Sequence, residues 1–161
     1  MVANNMTTSD KISVLKQLGD LRKKYCYENY FNLSYFHNGL YESEFVSPYS
    51  KSSCNVNSPL VILLQDWSSS NSLSNPFDKE TAELGFTPSL PTNRNLNTLL
   101  KETFNLKIED VFITNVFPFI KKGGLSSYLP IKDINKAFSE FCLAQIKIIN
   151  PKLVICCGSK V

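Results

Sequence analysis

The chain has one histidine, His37, and no Cys-x-x-Cys pair anywhere in its 161 residues. Without a paired-thiol motif a thiolate-held metal centre has no local ligand set, so neither metal nor cofactor is expected. The five cysteines, Cys26, Cys54, Cys142, Cys156 and Cys157, are odd in number, and two of them adjoin within a stretch that reads as a buried strand. Free thiols of a reduced, intracellular protein follow, with Cys142 read as core. No stretch of about 20 apolar residues exists, and the N-terminus lacks the basic-then-apolar order of a signal peptide. A cytoplasmic chain with no membrane partner is the expectation. There is no internal repeat. Charged residues are 19% of the total, with net charge +3 and an isoelectric point of about 8.5. So mild a basic excess allows nucleic-acid binding through local patches without demanding it.

Residues 59–67, Pro-Leu-Val-Ile-Leu-Leu-Gln-Asp-Trp, are an apolar run delivering a Gln-Asp pair at its end. Strands buried on both faces read this way, and open α/β sheets gather ligands at the carboxyl ends of their strands. Asp66 is thus a candidate reacting group; the plainer alternative is a cap on the following turn. Two further runs have the same form: Val111 to Asn115, and Leu153 to Cys157 ahead of Gly158. Between the first two, Leu96, Leu99, Leu100 and Phe104 recur at helical spacing behind a Thr92/Asn93 cap. Between the last two, Ile134, Ala137, Phe138, Phe141, Cys142, Gln145, Ile146 and Ile149 trace one stripe, stopped by Pro151. Alternation of strand and helix predicts a parallel sheet covered by helices.

Residues 1–8 read as a disordered tip and residues 9–161 as one domain. From Asp10 to about Tyr30 the pattern is an amphipathic helix with Ile12, Leu15, Leu18 and Leu21 inward. Residues 25–59 are too aromatic for a linker and read as an irregular packed segment. Ser68 to Pro76 is the expected mobile loop.

Gln65-Asp66, Phe86-Thr87-Pro88-Ser89-Leu90, Asn93-Arg94-Asn95-Leu96, Asp110 to Asn115, and Gln145 through Ile155 with Gly158 occur in one order at sensible separations. Together they resemble the uracil-DNA glycosylase superfamily over roughly residues 58–161. Of the GQDPYH motif of one branch only Gln and Asp remain; Leu64 stands for its Gly, and Trp67-Ser68 for its Pro-Tyr. A Gln-Asp-Trp branch is more similar. The resemblance implies a three-layer α/β/α sandwich around a short parallel sheet, with the first strand between the second and third. It also implies hydrolysis of the N-glycosidic bond of uracil in DNA after base flipping, with DNA as partner; some branches carry a four-Cys iron–sulfur cluster, which is not expected here because no Cys-x-x-Cys occurs.

Cleaving that bond builds positive charge on the sugar and negative charge on the base. Asp66 can hold the attacking water and stabilise the cationic sugar. Asn115 can pair with the imide edge of uracil and reject cytosine, or simply end its strand. Phe86 takes the family's stacking place, with Phe77 as rival, and Trp67 and Gln65 complete the expected base site. The loop with Ser89, Thr92, Asn93 and Arg94 suits a DNA backbone contact, as does Lys121 in Lys121-Lys122-Gly123-Gly124; an ordinary helix entry and a solvated basic loop are the alternatives.

The family also uses a His in a loop after a fourth strand. This sequence ends just beyond the third run, so the last strand is expected to be lacking, and nothing makes His37 its substitute. An edge left unpaired invites self-association. Two functional readings therefore stand: a monofunctional glycosylase, and a catalytically inactive nucleic-acid- or protein-binding module of the same fold. A third is an unrelated α/β hydrolase matching by chance.

Overall fold

The computed structural model describes residues 6–158. Most of the predicted tip lies outside that range, but Thr7 and Thr8 belong to the first helix: α1 spans Thr8–Lys24, and Thr7 caps it in a reciprocal box with Asp10. Hydrogen bonds from the Thr7 side chain and backbone hold the Asp10 carboxyl below its ordinary range.

Three strands form one parallel sheet: β1 Leu60–Asp66, β2 Phe112–Phe117 and β3 Leu153–Cys157, in the order β2-β1-β3. Each falls within two residues of its apolar run in the sequence. In register, Leu64 aligns with Asn115 on β2 and with Cys157 on β3, and Asp66 with Phe117. The outer edge of β2 is covered by the preceding chain, since Asn55 N–H donates to Val111 O and Ile113 N–H to Ser53 O. At the opposite edge β3 is half-exposed, with Leu153 47% accessible. Cys156 is accordingly exposed rather than buried as the sequence suggested, because a strand with a ladder on one side only is sheltered only in part.

Helices pack on both faces. One face buries Val61, Leu63 and Phe112 against Leu15 of α1 and against Ile134, Ala137, Phe141 and Ile149. Those last four lie on a helical run made of α5, Ile131–Ala137, a wider π turn at Phe138–Cys142, and α6, Leu143–Ile149. Asn150 closes it in the left-handed conformation just before Pro151. Leu60, Ile62, Leu64 and Ile113 on the other face meet Leu96 and Leu100. Leu96 belongs to α4, Pro91–Leu99, which continues into a π turn at Leu100–Phe104. Its first helical residue is Pro91, with no side-chain cap. Thr92 and Asn93 therefore sit inside the first turn rather than capping it, because proline at the first position needs no N–H partner.

Three other expectations change. Leu15 is buried as expected, but Leu21 is 54% exposed, and α1 buries Gly19 and Arg22 instead. A Cβ at Gly19 would collide with the backbone of Glu44 and Phe45, so the missing side chain is what lets that face dock. The helix also stops at Lys24, after which residues 25–59 pack irregularly through 3-10 turns and bury Leu33, Tyr41, Phe45, Val46 and Tyr49. Ser68 to Pro76 holds the short helix α2, Ser70–Leu73, with Ser68, Ser69 and Leu73 buried. Ser70 N–H donates to Lys121 O and Asn71 N–H to Gly123 O, which ties this segment to the loop after β2. Among the described residues no helix is long and apolar enough to cross a membrane.

Candidate functional site

β1 ends at the carboxyl edge of the sheet, and Asp66 there opens on a cavity of about 660 Å³. Gln65 and Trp67 line it beside Asp66, together with Phe86 from the loop ahead of α4 and Thr92 and Asn93 from the first turn of α4. The site thus forms where β1 hands over to the chain between α2 and α4. That crevice is the ligand position of an open parallel sheet.

The Asp66 carboxylate is tightly engaged. Its Oδ1 accepts from Gln65 Nε2 at 3.0 Å, and its Oδ2 lies 2.7 Å from Lys121 Nζ. The side chains of Lys121 and Asp66 are 4% and 12% exposed. Lys121 also donates to Leu125 O at 2.5 Å. Predicted as a DNA-backbone contact, it is buried against the acid, while Lys122 beside it is exposed with its ammonium 5.8 Å above the Phe31 ring.

Aromatic walls define the cavity. Phe86 lies flat on Tyr49, with centroids 5.7 Å apart and planes 1° from parallel. Tyr49 is anchored by its hydroxyl, which donates to Asn93 Oδ1 at 2.5 Å. Burial pushes that phenol well above its ordinary range, against the Asn93 bond that lowers it. Trp67 donates from Nε1 to Gly85 O at 2.8 Å and tilts against Tyr41. Gly85 ends helix α3, Lys79–Leu84, at φ 79°, and a Cβ there would run into the Pro48 carbonyl. Only glycine fits, so the Trp67 anchor depends on it. A second acid on the cavity wall, Asp78, is an ordinary cap: Thr81 N–H and Oγ1 donate to it and hold its carboxyl below the usual range.

Asn115 lies on the face of β2 that carries Val111 and Ile113, the face shared with Leu64 and Asp66. It is fully buried and absent from the cavity lining. Ser47 Oγ donates to its Oδ1 at 2.6 Å, while its Nδ2 is buried with no partner. An unmet donor of this kind costs about 1–3 kcal/mol.

The loop residues are divided in the same way. Ser89 and Arg94 are exposed outside the cavity, and the Arg94 guanidinium donates to the Ser89 carbonyl. Thr92 is exposed at the cavity, whereas Asn93 is buried between Tyr49 and Thr87 O. Phe77, the rival stacker, is 40% exposed and packs on His37 and Tyr41 outside the cavity. His37 Nε2 is 2.8 Å from Leu73 O and outside the cavity as well.

Sequence reasoning missed Tyr41, Tyr49 and Cys157 as wall residues and Lys121 as the partner of Asp66. For the tyrosines the signal was the aromatic density of residues 25–59, which shows that a segment packs but not on what. Among the described residues no group of three or more His, Cys, Asp or Glu could hold a metal ion. The sequence matches no protein-family model and no curated protein.

Proposed function

We propose that this chain hydrolyses the N-glycosidic bond of uracil in DNA, on a uracil-DNA glycosylase-like three-layer sandwich. One observation carries the reading: Asp66, Gln65, Trp67 and Phe86, named from the sequence for this chemistry, line a single cavity at the carboxyl edge of a parallel sheet. The volume of about 660 Å³ admits an extruded base together with its sugar. Asp66 holds the attacking water and faces the developing sugar cation. Phe86, backed by Tyr49, stacks on the base. The unpartnered Nδ2 of Asn115 is a donor suited to a base carbonyl once the Ser47–Tyr49 turn yields. Ser89, Thr92 and Arg94 stand exposed at the entry to α4 as backbone contacts, while Asn93 is buried behind them and anchors Tyr49.

The test is release of uracil from a single-uracil oligonucleotide. We expect Asp66→Asn to lower the rate by roughly 10²–10⁴-fold, the scale of a lost general base. Equal rates in the two proteins would remove the assignment.

A second reading, a binding module without turnover, is favoured by the engagement of both Asp66 oxygens and by the enclosure of Asn115. It expects DNA affinity that weakens with salt and no base released. Self-association through the half-exposed β3 belongs to either reading; sedimentation velocity at rising concentration tests it, a single monomer species rejecting it.

A further inference from the structure

We propose that Lys121 is a positioning residue for the Asp66 carboxylate. A terminal carboxylate torsion is broad and two-fold, so one hydrogen bond leaves it free to swing. Here each oxygen has its own donor, Gln65 Nε2 on Oδ1 and Lys121 Nζ on Oδ2, and the two together fix the plane of the group. Gln65 is adjacent in sequence and moves with the strand. Lys121 comes from another element, so it sets Asp66 against the sheet as a whole.

Lys121 is itself held in three ways. Its backbone forms a parallel bridge with Ser69, its carbonyl accepts from Ser70 N–H at 2.9 Å, and its ammonium also donates to Leu125 O. Leu125 lines the cavity with Asp66, so one ammonium ties the acid to the cavity rim. A lysine only 4% exposed and paired to an acid is not free for a phosphate. The adjoining Lys122 points outward onto Phe31, so of two neighbouring lysines only Lys121 serves the site. Breaking a buried pair leaves a charge uncompensated, and Asp66 then turns toward water in the cavity.

The turnover arm of the test rests on the glycosylase reading; the structural arm does not. We expect Lys121→Met to lower kcat for uracil release by about 10²-fold, the scale of a misplaced catalytic group, with KM within about twofold. Lys121→Arg, which keeps a donor cation, should restore most of the rate. Combining Lys121→Met with Asp66→Asn should cost no more than Asp66→Asn alone. A kcat for Lys121→Met equal to the wild type, or multiplicative costs in the double variant, overturns the proposal. If the wild type releases no uracil, the glycosylase reading fails, and a crystal structure of Lys121→Met decides the positioning role. An Asp66 side chain in an altered rotamer supports it, and one unmoved overturns it. Should Lys121→Met fail to fold, Lys121→Gln, uncharged and one bond shorter, takes its place in both arms with the same expected losses.

Discussion

Gly85 combines two constraints that no other residue meets: a left-handed backbone and contact with the Pro48 carbonyl. Left-handed strain alone costs a substituent about 1–3 kcal/mol. Gly85→Ala should therefore lower the melting temperature and loosen the Trp67 ring held on Gly85 O, read as a red shift in the fluorescence of the single tryptophan. A Gly85→Ala protein with unchanged melting and emission would contradict this. Ser47 is a second such position. Ser47→Ala leaves Asn115 Oδ1 buried without its donor, and a loss of about 1–3 kcal/mol in urea unfolding is expected. At this scale the sequence was legible where one residue type serves one task at the end of a run, as for Asp66 and Trp67. Lys121 was not, because a lysine followed by glycines reads the same whether it faces water or an acid supplied by a distant strand.

Elements carry the stability that these residues exploit. The inner face of α1 is joined to residues 32–42 by Arg22, which is fully buried and bonds Glu42 and Asn32. Glu42→Gln removes the compensating charge, and breaking a buried pair costs roughly 3–5 kcal/mol. Chemical denaturation should show that loss, whereas the exposed pair Lys79–Glu83 should contribute less than about 1 kcal/mol. Phe141, on the π turn between α5 and α6, is fully buried among Tyr25, Phe119 and the sheet. Phe141→Ala should cost about 3–5 kcal/mol. The stripe from Ile134 to Ile149 was legible because a 3.6-residue period depends only on neighbours along the chain. The rotation of α1 was not: Leu21 and Arg22 differ by one step around the helix, and the close approach at Gly19 chose between them.

For the molecule as a whole, burial of ionisable groups sets an alkaline limit. Burial pushes the Cys142 thiol from 9.0 to about 12, and burial with the nearby Asp133 charge pushes the Tyr27 hydroxyl from 10.0 to about 12. Both groups keep their protons in the folded state at pH values where the unfolded chain has lost them. Their contribution is thus complete below about pH 9 and falls as pH rises toward 12. Unfolding free energy should fall between pH 9 and 11 with a slope approaching about 1.4 kcal/mol per unit from Cys142, with a smaller, solvent-screened share from Tyr27, and Cys142→Ala should flatten the profile. A flat profile above pH 9 would be inconsistent with a buried thiol.

Three strands, their helical covers and the acid at the end of the first strand were all written into local patterns of the chain. These follow from local periodicity, from proline and from polar residues at the ends of apolar runs. Packing between distant segments settles that Lys121 meets Asp66, that Arg22 rather than Leu21 turns inward to meet Glu42, and that Asn115 is held by Ser47. Each of those pairs joins residues far apart in the chain, so its formation depends on how two backbones pack, a quantity that no local pattern encodes.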